Sequence, residues 1–411
     1  MSPSVEVAAL HEAPLGVLRG DRSMSSKRAY LPELTGIRMI GIYNVYLTHY
    51  NCFSADLLDG IPYKAAKQPF GLMMFFCLSG FMIYYRYGDG LTRVTGPWLV
   101  RYLQNRFARI YPVYFICLTT LYVSRWLASG DVYLAFPQRQ PGDPLAWLEA
   151  WWPELARWSP TVATYTLTQA LFEEWKFLGF PQGWSLTVEE TFYLSAPLIF
   201  LVARRWSVWL PGAAIMLLGV LLAATPGSPY QGRSAFLFSY TLCGMIPAFC
   251  VGIQLSKWSL RWGIYDRPRR KRPLLTYTSL VLAAAYIAVL TALTPDFNTS
   301  GPDQPLGAVL YLFFAPVWIG CLLYGLLTEE SLVQRLLSSR VVQLLGSSAY
   351  GFYIVHEGFF HFLIQKYLTE NYLLRFVLIN LIAIAIYKLI EKPANQFIKN
   401  LRLTRRERTS A

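Results

Sequence analysis

Residues 183–203 read GWSLTVEETFYLSAPLIFLVA, and two adjacent carboxylates, Glu189 and Glu190, open this long apolar segment. An ionised group at membrane depth is energetically expensive, so it usually marks a functional site. A second such group, His49, lies deep in the first apolar segment of the chain. Together these positions point to chemistry carried out inside a membrane.

The composition is typical of an integral membrane protein. Of the 411 residues, 54% are hydrophobic and 15% are charged, whereas a typical soluble domain carries about 25% charged residues. A spanning helix needs about 20 mainly apolar residues, and on this basis the sequence predicts an all-α bundle of about ten transmembrane helices. They are expected near residues 36–53, 70–86, 108–128, 187–203, 208–224, 234–256, 275–294, 306–327, 345–366 and 372–391.

The charge distribution predicts the orientation of this bundle. The net charge is +13, and Lys and Arg gather at the ends of alternate segments, most densely at residues 257–272. Basic loops stay on the cytoplasmic side, so we expect a multi-pass protein of the cell (inner or plasma) membrane with both termini cytoplasmic. The bundle should occupy residues 31–395, between an N-terminal tail (1–30) and a basic C-terminal tail (396–411). The positive charge is thereby assigned to loops beside the lipid bilayer, and no nucleic-acid partner is expected.

The six cysteines give no sign of a metal site or a disulfide framework. None of them forms a CxxC pair, and most lie within apolar runs. Cysteine in such a setting behaves as a small buried hydrophobe. No metal is therefore predicted.

Arg38 and His49 are eleven positions apart on the first predicted helix, which is about 16 Å along its axis. Arg38 should lie at the cytoplasmic boundary and His49 in the outer half of the bilayer. A lone intramembrane histidine is either a hydrogen-bonded structural group or a general base.

Arg106 and Arg109 stand at positions i and i+3 near the start of the third predicted span. They project from the same helix face. An arginine pair can hold phosphates through bidentate hydrogen bonds. Anchoring to the cytoplasmic membrane surface is the alternative.

Glu189 and Glu190 point about 100° apart on a helix, so one should face the interior while the other packs or caps. The interior carboxylate is predicted to orient His49, as the third member of a triad orients its base. The preceding loop is rich in tryptophan, including Trp184, and forms either an interfacial belt or a sugar-stacking surface. His356 should reach a depth similar to that of His49, where it either binds substrate or packs.

Six motifs in order resemble acyltransferase family 3, the multi-spanning membrane acyltransferases. They are Arg38 and His49 with ten residues between them, FFCLSGF at 75–81, the Arg106/Arg109 pair before IYP at 110–112, residues 184–193, residues 350–356, and EKP at 391–393. The resemblance covers about residues 31–395. One departure is Asn44, because the family usually has a more apolar stretch before its first-span histidine. Within FFCLSGF, the small residues predict close packing of two helices.

The resemblance implies a ten-helix bundle that acylates hydroxyl groups. The expected donor is acyl-CoA, with acetyl-CoA as the default, and the expected acceptor is a hydroxyl-bearing glycan, glycolipid or glycosylated small molecule. The corresponding roles are cofactor binding by Arg38, Arg106 and Arg109, catalysis by His49 with Glu189 or Glu190, and substrate binding by Tyr193, Trp184 and His356.

Several alternatives stay open at this point. His49 could accept the acyl group itself instead of acting as a base. Polar groups inside a bundle also occur in a transporter or flippase of an anionic or lipid-linked substrate. A protein that senses acyl-CoA would bind the donor through its arginines without turnover.

Overall fold

The computed structural model describes residues 30–50, 61–88, 91–138, 140, 150–225, 240–294 and 301–398. The described chain is mainly helical, and within these ranges no β-strand forms beyond an isolated bridge between Arg270 and Glu329. Its helices are α1 (Pro32–His49), α2 (Ile61–Ala66), α3 (Gly71–Ile83), α4 (Gly96–Ser129), α5 (Val132–Ala135), α6 (Pro153–Tyr165), α7 (Gly183–Arg205), α8 (Trp209–Ala224), α9 (Leu242–Arg261), α10 (Leu274–Leu293), α11 (Pro305–Val309), α12 (Ala315–Thr328), α13 (Leu332–Leu337), α14 (Arg340–Ser347), α15 (Ala349–Val355), α16 (Phe359–Tyr367) and α17 (Tyr372–Ile386).

Six helices of the described chain are long and apolar enough to cross a membrane. They are Lys64–Gly88, Gly96–Ser129, Gly183–Arg205, Leu274–Leu293, Pro305–Thr328 and Tyr372–Ile398. Each coincides with one of the ten predicted spans, and the all-helical membrane architecture is thereby confirmed.

The other four predicted spans are not among these six long apolar helices. The first is an 18-residue helix, α1, which carries Arg38 and His49. The fifth is the shorter apolar helix α8, and the sixth corresponds to α9, while its residues 234–239 lie outside the described chain. The ninth, 345–366, is divided into the short helices α14, α15 and α16. The count of ten spans, like the position of the termini, therefore stays a prediction.

Close contact between α3 and α9 forms the centre of the bundle. A Cβ added to Gly80 would lie 2.3 Å from the carbonyl oxygen of Phe249, and one added to Gly252 would lie 2.0 Å from that of Cys77. Only glycine permits the two backbones to approach so closely. The close packing predicted from FFCLSGF is confirmed, and it places Ser79 beside the neighbouring helix α7.

Asn44, the polar departure in the first predicted helix, caps α3. Its Oδ1 accepts hydrogen bonds from the backbone N–H groups of Phe70 and Gly71 at 2.9 and 2.8 Å, and its Nδ2 donates to the carbonyl of Gln68 at 3.0 Å. A helix N-terminus inside a membrane protein leaves N–H groups that need such acceptors. Asn44 therefore fixes α1 against the start of α3.

Candidate active site

A cavity of about 120 Å³ lies among helices α1, α3, α4, α7 and α15. We call it the arginine cavity, after Arg38, Arg106 and Arg109 in its wall. Its other lining residues are Leu72, Phe75, Phe76, Leu78, Ser79, Met82, Ile83, Ile110, Ser185, Leu186, Glu189, Tyr193, Ala349, Tyr350 and Tyr353. Because Glu189 is the only acid in this wall, the lining carries an excess of positive charge.

The three arginines of the cavity have different partners. Arg109 pairs with Glu391, whose side chain is only 2% exposed. Arg106 lies over the rings of Tyr87 and Tyr193, with its guanidinium carbon 5.4 and 5.5 Å from their centroids. No carboxylate of the described residues lies within ion-pair distance of Arg38 or Arg106. Two guanidinium groups can therefore engage an anionic ligand without first breaking an ion pair.

Glu189 organises the opposite wall of the cavity. Its Oε1 accepts a hydrogen bond from Ser79 Oγ at 2.6 Å and another from the hydroxyl of Tyr193, one turn along α7. Glu190 does not line the cavity, and its Oε2 is buried with no hydrogen-bond partner in the described chain. The two carboxylates thus face different surroundings, as their 100° separation on a helix predicts.

A second group of polar side chains, the histidine cluster, consists of His49, His356 and Glu357. His49 Nε2 lies 3.6 Å from Glu357 Oε2, and the rings of His49 and His356 are 5.6 Å apart between centroids. The side chains of His49 and Glu357 are 41% and 20% exposed, whereas His356 is completely buried. The cluster therefore has one closed side and one open side.

A break in the helix between α15 and α16 positions His356 and Glu357. Gly358 ends the break with φ +71° and ψ −135°, a conformation that residues with a Cβ rarely adopt. Gln182, just before α7, donates its Nε2 to the carbonyls of Tyr353 and Ile354 at 3.2 and 2.8 Å. Carbonyls that the interrupted helix leaves free are thereby satisfied.

The orientation of His356 follows from the same break. Its Nδ1 lies 2.7 Å from the carbonyl oxygen of Tyr353, and because a carbonyl can only accept, Nδ1 carries the hydrogen. Nε2 is then the unprotonated nitrogen of the neutral ring, and it is buried without a hydrogen-bond partner in the described chain.

Tyr353 joins the two regions. Its side chain lines the arginine cavity, where its hydroxyl donates to the carbonyl of Gln182 at 3.0 Å and is hydrogen-bonded to the hydroxyl of Ser185. Its carbonyl holds His356 in the histidine cluster. One residue therefore contributes to both.

The structure brings together only some of the residues that the sequence selects. Arg38, Arg106, Arg109, Glu189 and Tyr193 all line one cavity.

The carboxylate near His49 is not one of the two that the sequence predicts. The sequence predicts Glu189 or Glu190 beside His49, but the nearby carboxylate is Glu357, while Glu189 is bonded to Ser79 and Tyr193. The reason is the break after α15, which turns Glu357 toward α1.

Trp184 does not line the cavity but packs against Tyr240, with ring centroids 4.6 Å apart.

Sequence reasoning did not select Ser79, Gln182, Tyr353 or Glu357 as site residues. Only Glu357 carried a usable signal, because it directly follows a histidine and precedes a glycine within an apolar segment. The other three act through hydrogen bonds between elements far apart in the chain, which no local pattern shows.

Comparison with known proteins shows the family of the chain. A family model described as an acyltransferase domain, that of acyltransferase family 3, matches residues 31–389. The acyltransferase MdmB of Streptomyces mycarofaciens is 25% identical over 345 residues, which cover 79% of this chain and 78% of that protein. The peptidoglycan O-acetyltransferase OatA of Listeria monocytogenes is 21% identical over 352 residues, covering 82% of this chain but only 50% of OatA.

No solved structure gives a significant match to the chain. The family model nevertheless extends over most of the residues, including every lining residue of the arginine cavity and all of the histidine cluster. The chain therefore belongs to acyltransferase family 3, and it is a membrane acyltransferase that transfers groups other than aminoacyl groups.

Proposed function

We propose that this protein moves an acyl group, with acetyl as the default, from acyl-CoA to a hydroxyl of a glycan, glycolipid or glycosylated small molecule. The observation that carries the proposal is the joining of a cationic cavity to a histidine cluster through the single residue Tyr353. One region suits an anionic donor and the other suits the activation of a hydroxyl.

The donor half rests on charge and size. CoA carries several phosphate groups, and guanidinium groups bind phosphate through charge-assisted hydrogen bonds. Small-molecule pockets usually measure about 300–1,000 Å³, so a cavity of about 120 Å³ encloses only part of an acyl-CoA. We assign Arg38, Arg106 and Arg109 to the phosphates, on the cytoplasmic side, and the narrow interior to the pantetheine arm.

The two regions are separated along α1 by about three helical turns. Arg38 and His49 lie eleven residues apart on this helix, about 16 Å along its axis. The extended arm of the donor passes Tyr353 and carries the thioester toward His49. The phosphates and the reacting carbonyl thus occupy different regions.

The chemistry assigned to the histidine cluster is general-base catalysis. His49 takes the proton of the acceptor hydroxyl, the hydroxyl oxygen bonds to the thioester carbonyl carbon, and the carbon–sulfur bond breaks. The CoA thiolate leaves and takes the proton from the His49 imidazolium, which restores the base. Glu357, 3.6 Å from His49 Nε2, holds the imidazole in place and stabilises its protonated form.

The acceptor half rests on exposure and on the relatives. His49 is open on one side, so a hydroxyl of a larger molecule can reach it. The name of one relative specifies a glycan, peptidoglycan, and we extend to this chain only the class of hydroxyl-bearing glycans and glycosylated acceptors. Trp184 and its neighbour Tyr240 offer aromatic faces that suit sugar rings.

The test is release of CoA thiol from acetyl-CoA and longer acyl-CoAs by the purified protein in detergent, with and without a polysaccharide acceptor. We expect turnover by the wild type and almost none by His49→Ala. Movement of a substrate across a vesicle membrane without release of CoA would support the transporter alternative. Binding of CoA without turnover in the presence of acceptor would support the sensor.

A further inference from the structure

The histidine cluster also has the composition of a metal site. His49, His356 and Glu357 each offer one ligand atom, and these atoms all lie within 4.8 Å of one another. Two imidazole nitrogens and one carboxylate oxygen are a common ligand set for zinc and other divalent transition metals. No other group of three such ligands comes together in the part of the chain that the structure describes.

The buried member of the cluster is already arranged as a ligand. His356 donates its Nδ1–H to the carbonyl of Tyr353 at 2.7 Å. Histidines that bind metal almost always donate their other ring nitrogen in this way, which fixes the tautomer and the ring orientation. The remaining nitrogen, Nε2, is completely buried and has no hydrogen-bond partner in the described chain, so its electron pair is available for a bond to a metal ion.

The other two ligands can adjust to an ion. Ligands around a tetrahedral zinc ion are about 3.4 Å apart when each lies near 2.1 Å from the metal. His49 Nε2 and Glu357 Oε2 are 3.6 Å apart, and both side chains have an exposed face. The ligand atoms lie within 4.8 Å of one another, so a tetrahedral site requires a shift of up to about 1.4 Å toward His356. The partly exposed side chains of His49 and Glu357 have room for this movement.

We propose that the histidine cluster binds one divalent transition-metal ion of the zinc class, with His49, His356 and Glu357 as its protein ligands. The consequence for activity rests on the proposed function. A bound ion occupies both the imidazole of His49 and the carboxylate of Glu357. His49 can then no longer take a proton from the acceptor hydroxyl. Zinc should therefore inhibit acyl transfer reversibly.

The binding test uses purified full-length protein in detergent, stripped with EDTA and titrated with Co²⁺, whose visible absorption reports tetrahedral or five-coordinate ligation. We expect one Co²⁺ per chain, displaced by one equivalent of Zn²⁺. His356→Gln and Glu357→Gln should each weaken binding at least about 100-fold, because loss of a ligand should cost no less than the loss of an outer-shell partner, which costs about 10–100-fold. The matched control is His361→Gln, because His361 faces Arg375 at 3.2 Å and does not belong to the cluster.

The outcomes separate the two proposals. Folding of each variant is checked by gel filtration and thermal unfolding, so that lost binding cannot be confused with lost structure. Absence of saturable Co²⁺ binding in folded wild type, or equal binding by His356→Gln, overturns the metal site. Because binding is measured without a donor, failure of thiol release overturns only the proposed function. Stoichiometric binding without inhibition of thiol release overturns the competition between metal and base.

Discussion

The arginine cavity and the histidine cluster are built on opposite structural plans. The cavity is formed mostly by side chains of continuous helices, such as Arg106 and Arg109 on α4, and it is enclosed by aromatic rings and an ion pair. The cluster depends on a helix that stops at His356 and resumes after Gly358, and it is open on one side. Regular helices hold the arginines of the cavity wall at fixed positions. The helix break instead frees a backbone carbonyl, that of Tyr353, which orients His356.

The largest expected effect comes from His49→Ala. Loss of a general base lowers turnover about 10²–10⁴-fold, while the KM for acyl-CoA should change little because the donor phosphates are assigned to the arginine cavity. Steady-state thiol release at varied acyl-CoA separates the two parameters.

Thr48→Ala is the matched control, since among the described residues its hydroxyl bonds only to the carbonyl of Val45, at 2.6 Å, and its loss should leave both parameters near wild type. A raised KM with unchanged kcat in His49→Ala would indicate that His49 binds the donor and does not act as the general base.

Arg106→Gln should affect the KM for acyl-CoA and not kcat, the reverse of what is expected for His49→Ala. A hydrogen bond to a charged group contributes about 1.5–3 kcal/mol, and about 1.4 kcal/mol corresponds to a tenfold change in affinity. We therefore expect the KM for acyl-CoA to rise about 10–100-fold with little change in kcat.

Arg101→Gln provides the control for Arg106, because Arg101 lies on the same helix but is exposed and does not line the cavity. If both variants raise the KM equally, general surface charge and not the cavity attracts the donor.

Gly358→Ala tests the helix break. A side chain at φ +71° adds strain of about 1–3 kcal/mol, and relief of this strain moves His356 and Glu357 away from His49. We expect kcat to fall about tenfold with a lower unfolding temperature and an unchanged KM for acyl-CoA, measured by kinetics and thermal unfolding.

Gly96→Ala is the control for this change, because no other heavy atom lies within 4 Å of the position of its added Cβ. An unaltered kcat in a folded Gly358→Ala protein would show that the helix break between α15 and α16 is not needed for catalysis.

The smallest expected effect is that of Tyr353→Phe, which tests the link between the regions. The variant keeps the carbonyl bond to His356 but loses the hydroxyl contacts with Ser185 and Gln182. We expect the lost contacts together to weaken transition-state binding by about the value of one neutral hydrogen bond, about 1 kcal/mol, so kcat/KM should fall about fivefold.

Tyr350→Phe is the comparison, since its hydroxyl donates at 2.8 Å to the carbonyl of Ile110 on α4 and has no part in the link. A larger loss in Tyr350→Phe than in Tyr353→Phe would argue against coupling through Tyr353.

The sequence predicts the arginine cavity better than the histidine cluster, for a physical reason. Positions i and i+3 on a continuous helix share a face, so Arg106 and Arg109 could be grouped without a structure, and Glu189 could be separated from Glu190. Six of the ten predicted spans could be recognised by length and apolar content.

Where the helix stops, this periodicity no longer applies. Residues 345–366 have the composition of one span, but the chain divides there, and neither the direction of Glu357 nor the bond from Gln182 to Tyr353 follows from local spacing. The sequence therefore predicts that a carboxylate lies beside His49, but it does not identify Glu357 as that carboxylate.

The ion pair between Arg109 and Glu391 has a consequence for how the protein is made. Glu391 belongs to the last described helical segment, Tyr372–Ile398, whereas Arg109 lies in the first third of the chain. Since a ribosome releases the N-terminal part first, Arg109 must wait until its buried partner, 282 positions further along the chain, has been made. Completion of the arginine cavity therefore depends on the segment Tyr372–Ile398, and a nascent chain that lacks it carries an unsatisfied arginine that quality-control proteases can recognise.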